Sequence, residues 1–226
     1  MLLEVTRPVQ GGLRQEKKLD VVSNHIANAN TAGFKRDVVS FDKEFKARMN
    51  TDFSQGPLRK TGNKLDVALN DEGFFKVDTQ AGIRYTRNGN FTLDSNGILV
   101  DKQGNPVLGQ GGAMILEGGD VNINERGGIF IDGEYVDALD IVTFENLEGI
   151  KKEGADNFIY EGNTQDEIPP AQVSVEQGAL EGSGVKVVEE MVRMIDNHRM
   201  YETFSKSITT FDEVDGKAIN DVGQLR

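Results

Sequence analysis

Two histidines, a glycine-flanked serine and several carboxylate pairs are the side chains whose spacing raises the question of chemistry. A histidine beside a carboxylate can act as a general base. His25 and His198 both fall in stretches of helical rhythm, however, and no other motif supplies a pocket on which they converge. Packed or surface helix positions are the reading taken for both. Ser183 lies in Gly182-Ser183-Gly184, short of the G-x-S-x-G pattern that lifts a nucleophile onto a strained elbow, so it reads as a helix entry. Asp94-Ser95-Asn96-Gly97 starts like a calcium loop, but the spacing to a bidentate glutamate is missing and the same residues make hairpin turns. Glu189 and Glu190 are adjacent and so stand about 100° apart around a helix, a poor geometry for a carboxylate dyad. Neither G-x-x-x-x-G-K-[ST] nor G-x-G-x-x-G occurs between a strand and a helix. The count of Cys is 0, which excludes thiol nucleophiles, disulfides and cysteine-held zinc or iron–sulfur centres. The expectation is a chain with no catalytic residue, no metal and no cofactor, and hence no enzyme.

Composition narrows the partners. The 226 residues carry a net charge of −12, spread unevenly. Residues 1–60 hold 11 basic and 7 acidic side chains, residues 61–184 hold 8 and 22, and residues 185–226 hold 6 and 8. Binding a nucleic acid requires a clustered basic face to neutralise phosphates, and an acidic middle argues against it. Apolar runs reach four or five residues, too few to span a bilayer, so no membrane insertion is expected. Met1 to Pro8 include Glu4 and Arg7 and do not read as a cleavable secretory signal.

The positioning elements follow from periodicity. Leu19, Val22, Ile26 and Ala29 recur at helical spacing, and Val5, Val9 and Leu13 carry the stripe backwards, although Gly11 and Gly12 weaken it. Asn28 to Gly33 offer the residues that end helices. Asp52 to Gly62 read as a polar connector with no periodic element. From residue 65 to 182 the period changes to two, with turn chemistry at Asn88-Gly89, Asn96-Gly97, Gly104-Asn105 and Asp132-Gly133. Val188, Met191, Ile195, His198, Tyr201, Phe204, Ile208 and Phe211 then mark a second helix over roughly 185–214, with Ser183 as its cap. Gly216 and Gly223 are expected to interrupt it. The predicted fold class is α+β, with amphipathic N- and C-terminal helices flanking a mainly antiparallel all-β domain. Its parts are an N-terminal helix at 1–35, a connector at 36–64, a β-rich domain at 65–182 and a C-terminal helix at 183–226. A lone amphipathic helix must bury its apolar face on its counterpart, on the β domain or on other subunits.

Three stretches resemble one family. Leu19 to Lys35, LDVVSNHIANANTAGFK, is similar to the N-terminal signature of bacterial flagellar rod, hook and hook-associated axial proteins, with Asn24, Asn28, Thr31, Gly33 and Phe34 on the pattern. TGNKLDVALNDEGFFKV with RYTRNGNFTLDSNGILVDKQGNPVLG, in residues 61–109, resembles the family's central region. Gln177 to Ser183, including Gly178, Leu180 and Glu181, with Val187 to Val192 resembles its C-terminal signature. The family usually has Asn where Gly184 and Lys186 stand here. The short link at Asp52 to Gly62 and the run LRKTGNKLDVAL look more like proximal-rod F-type members than distal-rod G-type or hook members.

The resemblance implies a self-assembling subunit of the basal-body rod, the drive shaft between motor and hook. It implies export through the flagellar type III apparatus without signal cleavage, and a place in the periplasmic rod. The implied partners are further copies and other rod and hook axial proteins. In an inner coiled-coil layer, Leu19, Val22, Ile26 and Ala29 would pack against Val188, Met191, Ile195, Tyr201 and Phe204 of the same or neighbouring subunits. Asn24, Asn28, Thr31 and Gly33 would fix the turn from helix to outer domain. The reading from a different class is a secreted β-rich adhesin or binding module.

Overall fold

A computed structural model describes residues 2–42, 46–162 and 166–223. The chain forms two compact units. The first is helical and comprises Met1–Ala27, Asp37–Asn50 and Lys186–Arg226; the second comprises Asn28–Arg36 and Thr51–Val185.

In the helical unit, α1 runs from Leu2 to Ala27 and α2 from Val187 to Gly223. Between them in sequence lies a hairpin of β1, Asp37–Phe41, and β2, Ala47–Thr51, in a stretch read from sequence as connector. Both glycines of α1 are carried within the helix. At Gly11 a Cβ would sit 2.5 Å from Cε1 of Phe204, so the absence of a side chain is what lets that ring lie against the α1 backbone. Glycine costs a helix interior roughly 1 kcal/mol relative to alanine, and the packed ring offsets it. The helix entry expected at Ser183 falls elsewhere. The first helical bond of α2 runs from the Glu190 N–H to the Lys186 carbonyl at 3.0 Å, which makes Lys186 the capping position. The Ser183 hydroxyl accepts the Val185 N–H at 3.3 Å instead. Gly216 does not interrupt α2, whose assigned span extends to Gly223. One glycine costs too little to break a helix of 37 residues.

The second unit is built on an antiparallel sheet of 6 strands. In spatial order these are Ile150–Glu153, Asn157–Tyr160, Gly82–Thr86, Phe74–Thr79, Ile141–Phe144 and Glu167–Ile168. Successive side chains point to opposite faces of a strand, and adjacent phenylalanines accordingly serve different cores. Phe75 and Val77 join Val67, Phe91, Leu99, Val107 and Ile129 on one side. Phe74 joins Tyr85, Phe144, Ile150 and Phe158 on the other. A short strand at Leu58–Lys60 occupies the stretch expected to have no periodic element. It pairs Leu58 with Glu181 and Lys60 with Ala179, while Val67–Leu69 pairs with Val175–Gln177. The unit therefore closes on itself, its earliest strands held by its latest.

Three of its tight loops share one construction. Oδ1 of Asp94, Asp101 and Asn124 each accepts two backbone N–H groups, those two and four residues ahead. A glycine three residues on, at Gly97, Gly104 or Gly127, has φ of 75°, 86° or 78°. The stretch that resembled the start of a calcium loop is the first of these, with the Asp94 carboxylate taken up by backbone N–H groups and the Asn96 side chain.

Candidate functional site: an apolar helical stripe and a buried signature junction

On the helical unit, α1 and α2 pair antiparallel in an unbroken register. His25 meets Glu190 and Gly11 meets Phe204, fourteen residues apart on each helix. That pairing uses Glu190 and Phe204, with Met194 between them half-buried. The face of α2 turned away from α1 is left open, with Val188 75%, Met191 49%, Val192 54% and Ile195 53% exposed, whereas Tyr201, 40% exposed, lies three residues from Phe204 on the packed side. Residues three and four apart share a helix face, so the first four of these form one patch. Val9 and Leu13 of α1 are also exposed, whereas Val22 is buried. Leu19, Ile26 and Ala29 are half-buried, and Ala29 lies beyond the end of α1, in the turn.

In the second unit, residues of all three resembling stretches meet. The turn after α1 is tied by the Thr31 hydroxyl to Asn28 Oδ1 at 3.1 Å and by the Thr31 N–H to the Asn28 carbonyl at 3.1 Å. Asn24 stands one turn earlier, on α1. Gly33 takes φ of 69°, and a Cβ there would lie 2.5 Å from the Arg87 carbonyl carbon and the Asn88 nitrogen. Its N–H donates to the Glu181 carbonyl at 2.8 Å, and the Gly184 N–H donates to the Phe34 carbonyl at 3.0 Å. Phe34 is buried and carries the Lys152 ammonium over its ring, 4.2 Å from the centroid. Gly178, at φ of 75°, accepts the Thr61 N–H at 2.7 Å and donates to the Asp66 carbonyl at 2.8 Å; Leu180 is core.

At the centre of the junction the Lys35 ammonium lies 2.5 Å from Glu181 Oε1, both side chains 1% exposed. Lys35 also donates to the Ser54 carbonyl at 2.9 Å, and Oε1 accepts the Gly56 N–H at 2.7 Å. The Arg87 guanidinium closes the other side, 3.3 Å from Glu181 Oε2, and donates to the Asp71 carbonyl at 2.7 Å. Burial pulls the Lys35 ammonium below its ordinary range, against the pull of Glu181, and burial lowers Arg87 likewise. Two buried cations against one carboxylate is an arrangement for holding chain segments in register.

Sequence reasoning picked out Glu181 and Gly33 but not Lys35 or Arg87, and it weighed His25, Glu190 and Gly11 without finding the partners they meet. The Lys35–Glu181 pair spans 146 residues, and no local spacing announces it. His198 is exposed on α2, 3.6 Å from Glu202, and His25 is buried on α1, so the packed and surface positions expected of them are the ones observed.

With this geometry in place, comparison with known proteins is specific. Residues 11–35 match the family described as flagella basal body rod protein. Residues 68–141 match the flagellar hook protein FlgE/F/G D1 domain, and residues 176–221 match the flagellar basal body rod FlgEFG protein C-terminal family. Over 92% of its length the chain is 34% identical to the flagellar basal-body rod protein FlgF of Caulobacter vibrioides, covering 93% of that protein. It is 33% identical to the flagellar basal-body rod protein FlgG of Buchnera aphidicola, over 88% of this chain and 92% of that one. To the flagellar hook protein FlgE of Salmonella typhimurium it is 37% identical over 110 residues, 44% of this chain and 27% of the relative. The class is thus the rod and hook proteins of the bacterial flagellum. Within it, the chain belongs to the flagellar basal-body rod protein family and is a structural rod subunit.

Proposed function

We propose that the subunit is non-catalytic and joins the periplasmic rod by burying the open face of α2 against helices of other copies and of other rod and hook proteins. The observation that carries this is the patch of Val188, Met191, Val192 and Ile195, exposed on a helix whose opposite face is already packed on α1. Contiguous apolar surface of this kind marks an interaction site. Repeated around a tube, one such face per chain turns modest contact energies into a stiff shaft. Leu19, Ile26, Ala29 and Tyr201 belong to the same assembly set. Val22 and Phe204 contribute from within the chain, by fixing the helix pair that presents the face. Delivery through the flagellar type III apparatus without signal cleavage completes the reading. The proximal, F-type position rests on the short link at Asp52 to Gly62 and the LRKTGNKLDVAL run.

Ile195→Asp tests the interface. The side chain is half exposed, so the variant should keep the wild-type thermal midpoint and circular dichroism as an isolated subunit. It should fail to enter basal bodies and leave cells non-motile. Normal rods and swimming in that variant overturn the interface.

A further inference from the structure

Three elements of the helical unit converge on one buried ring. His25, near the end of α1, is 2% exposed. Its Nε2 accepts the backbone N–H of Asp37, the first residue of β1, at 2.9 Å. Its Nδ1 stands 3.3 Å from Oε2 of Glu190 on α2, which is itself 2% exposed. Glu190 Oε1 is held by the Arg193 guanidinium at 2.7 Å, which leaves Oε2 facing the ring. A nitrogen that accepts a hydrogen bond carries no proton, so the neutral ring has its hydrogen on Nδ1, the nitrogen that stands beside Glu190.

Protonation changes the two contacts in opposite directions. A proton on Nε2 sets donor against donor at the Asp37 N–H and ends that bond. The same proton puts a full positive charge beside the Glu190 carboxylate and strengthens that contact. We propose that His25 is a proton-operated latch on the hairpin: neutral, it ties the root of β1 to α1, and protonated, it releases that root while gripping α2 more firmly. Imidazole is the side chain suited to this between pH 5 and 8. Among the described residues, these charged groups stand near it. From α2 they are Glu190 and, through it, Arg193; Lys186 and Glu189 pair with each other at 3.0 Å on the exposed side. From β1 there is Asp37, which brings its own carboxylate. On α1 the positions three and four residues before the ring are Val22 and Val21, both buried and uncharged.

The inference stands on this geometry alone and does not depend on the assembly reading. The test is amide hydrogen exchange by NMR on the full chain between pH 7.5 and 5, corrected for intrinsic exchange rates. The ring nitrogens of His25 are followed in parallel, and the exposed His198 serves as internal reference. Protection of the Asp37 amide should fall about tenfold in step with the His25 titration, the worth of one lost hydrogen bond. Amides of α1 and α2 should keep their protection. In His25→Gln, whose side-chain carbonyl can accept the same N–H without titrating, Asp37 protection should stay flat across the range. Flat Asp37 protection in the wild-type chain while the ring titrates overturns the proposal. So does helix protection lost at the same pH, or an unchanged pH response in His25→Gln. If a variant fails to fold, the wild-type comparison of Asp37 with the helix amides decides by itself.

Discussion

Lys35 and Glu181, 146 residues apart in sequence, meet at 2.5 Å with both side chains withdrawn from solvent. The contact joins the end of the N-terminal signature to the C-terminal one, and Arg87 from the central region flanks it. Removing one member of a buried ion pair strands the other charge, which costs about 3–5 kcal/mol. Replacing both with apolar groups of similar volume costs far less. Glu181→Gln and Lys35→Met should therefore each lower the urea midpoint strongly. Glu181→Gln strands two cations and Lys35→Met with Glu181→Leu strands only Arg87, so the double variant should recover part of the Glu181→Gln loss, less what the Gly56 N–H forfeits as a donor. Equal losses in the single and double variants would show that the backbone donors, rather than the charges, set the stability of the junction.

The same junction makes Gly33 a different case from the loop glycines. Gly33 and Gly104 both have positive φ, 69° and 86°, so alanine is strained at either. A non-glycine residue in that region costs roughly 1–2 kcal/mol. At Gly104 a Cβ meets nothing within 4 Å, and Gly104→Ala should lose only that amount. At Gly33 it would lie 2.5 Å from backbone atoms of Arg87 and Asn88, which cannot rotate away. Gly33→Ala should cost distinctly more in chemical denaturation; matching values would mean that the close approach relaxes freely.

The parts written locally in the sequence were legible. Two helices, a period-two middle and hairpins at Asn96-Gly97 and Gly104-Asn105 follow from spacing and turn chemistry that each segment carries alone. What escaped depends on distant partners. Leu58–Lys60 is too short to show a period and is a strand because Ala179–Glu181 lies beside it. The apolar stripe of α2 was legible as helical but not by face. Phe204 and Val188 fit one apolar pattern, yet Phe204 seats on Gly11 and Val188 is three-quarters exposed. Only the partner helix sorts them, and the glycine that makes room for the ring reads in sequence as a helix weakness. Buried charges are the hardest of all, since Lys35 and Glu190 look like surface residues until their counterparts are known.

Alkaline pH should loosen the second unit through Tyr85. Burial pushes the Tyr85 hydroxyl well above its ordinary range, helped by its hydrogen bond to Glu167. Lys76 is raised as well: burial opposes this, but bonds to Glu167 at 2.7 Å and Asp140 at 3.0 Å outweigh it. Both groups hold their protons in the folded chain at a pH where the unfolded chain has released them. Their stabilisation is complete below about pH 10, the ordinary tyrosine range, and is lost as pH rises beyond it. Tyr85→Phe should lower stability at pH 8 and flatten the decline between pH 9.5 and 11 in urea titrations. A decline equally steep in the variant would assign the alkaline loss to other groups.

The helix pair offers the sharpest test of packing, because Gly11 opposes two effects of known sign. Alanine is the better helix former by roughly 1 kcal/mol. Yet a Cβ at position 11 would stand 2.5 Å from Cε1 and 2.6 Å from Cζ of Phe204. The ring must tilt or the helices must part, and overpacking of this kind costs about 1–3 kcal/mol. Gly11→Ala should therefore be neutral to destabilising in the wild-type chain, read as protection of α1 amides against exchange. In a Phe204→Ala background the clash disappears and only propensity remains, so Gly11→Ala should stabilise the pair by about 1 kcal/mol. The change of sign between backgrounds is the coupling between the two residues. Should Gly11→Ala stabilise both backgrounds equally, the ring does not rest on the α1 backbone, and the register of the helix pair would have to be drawn differently.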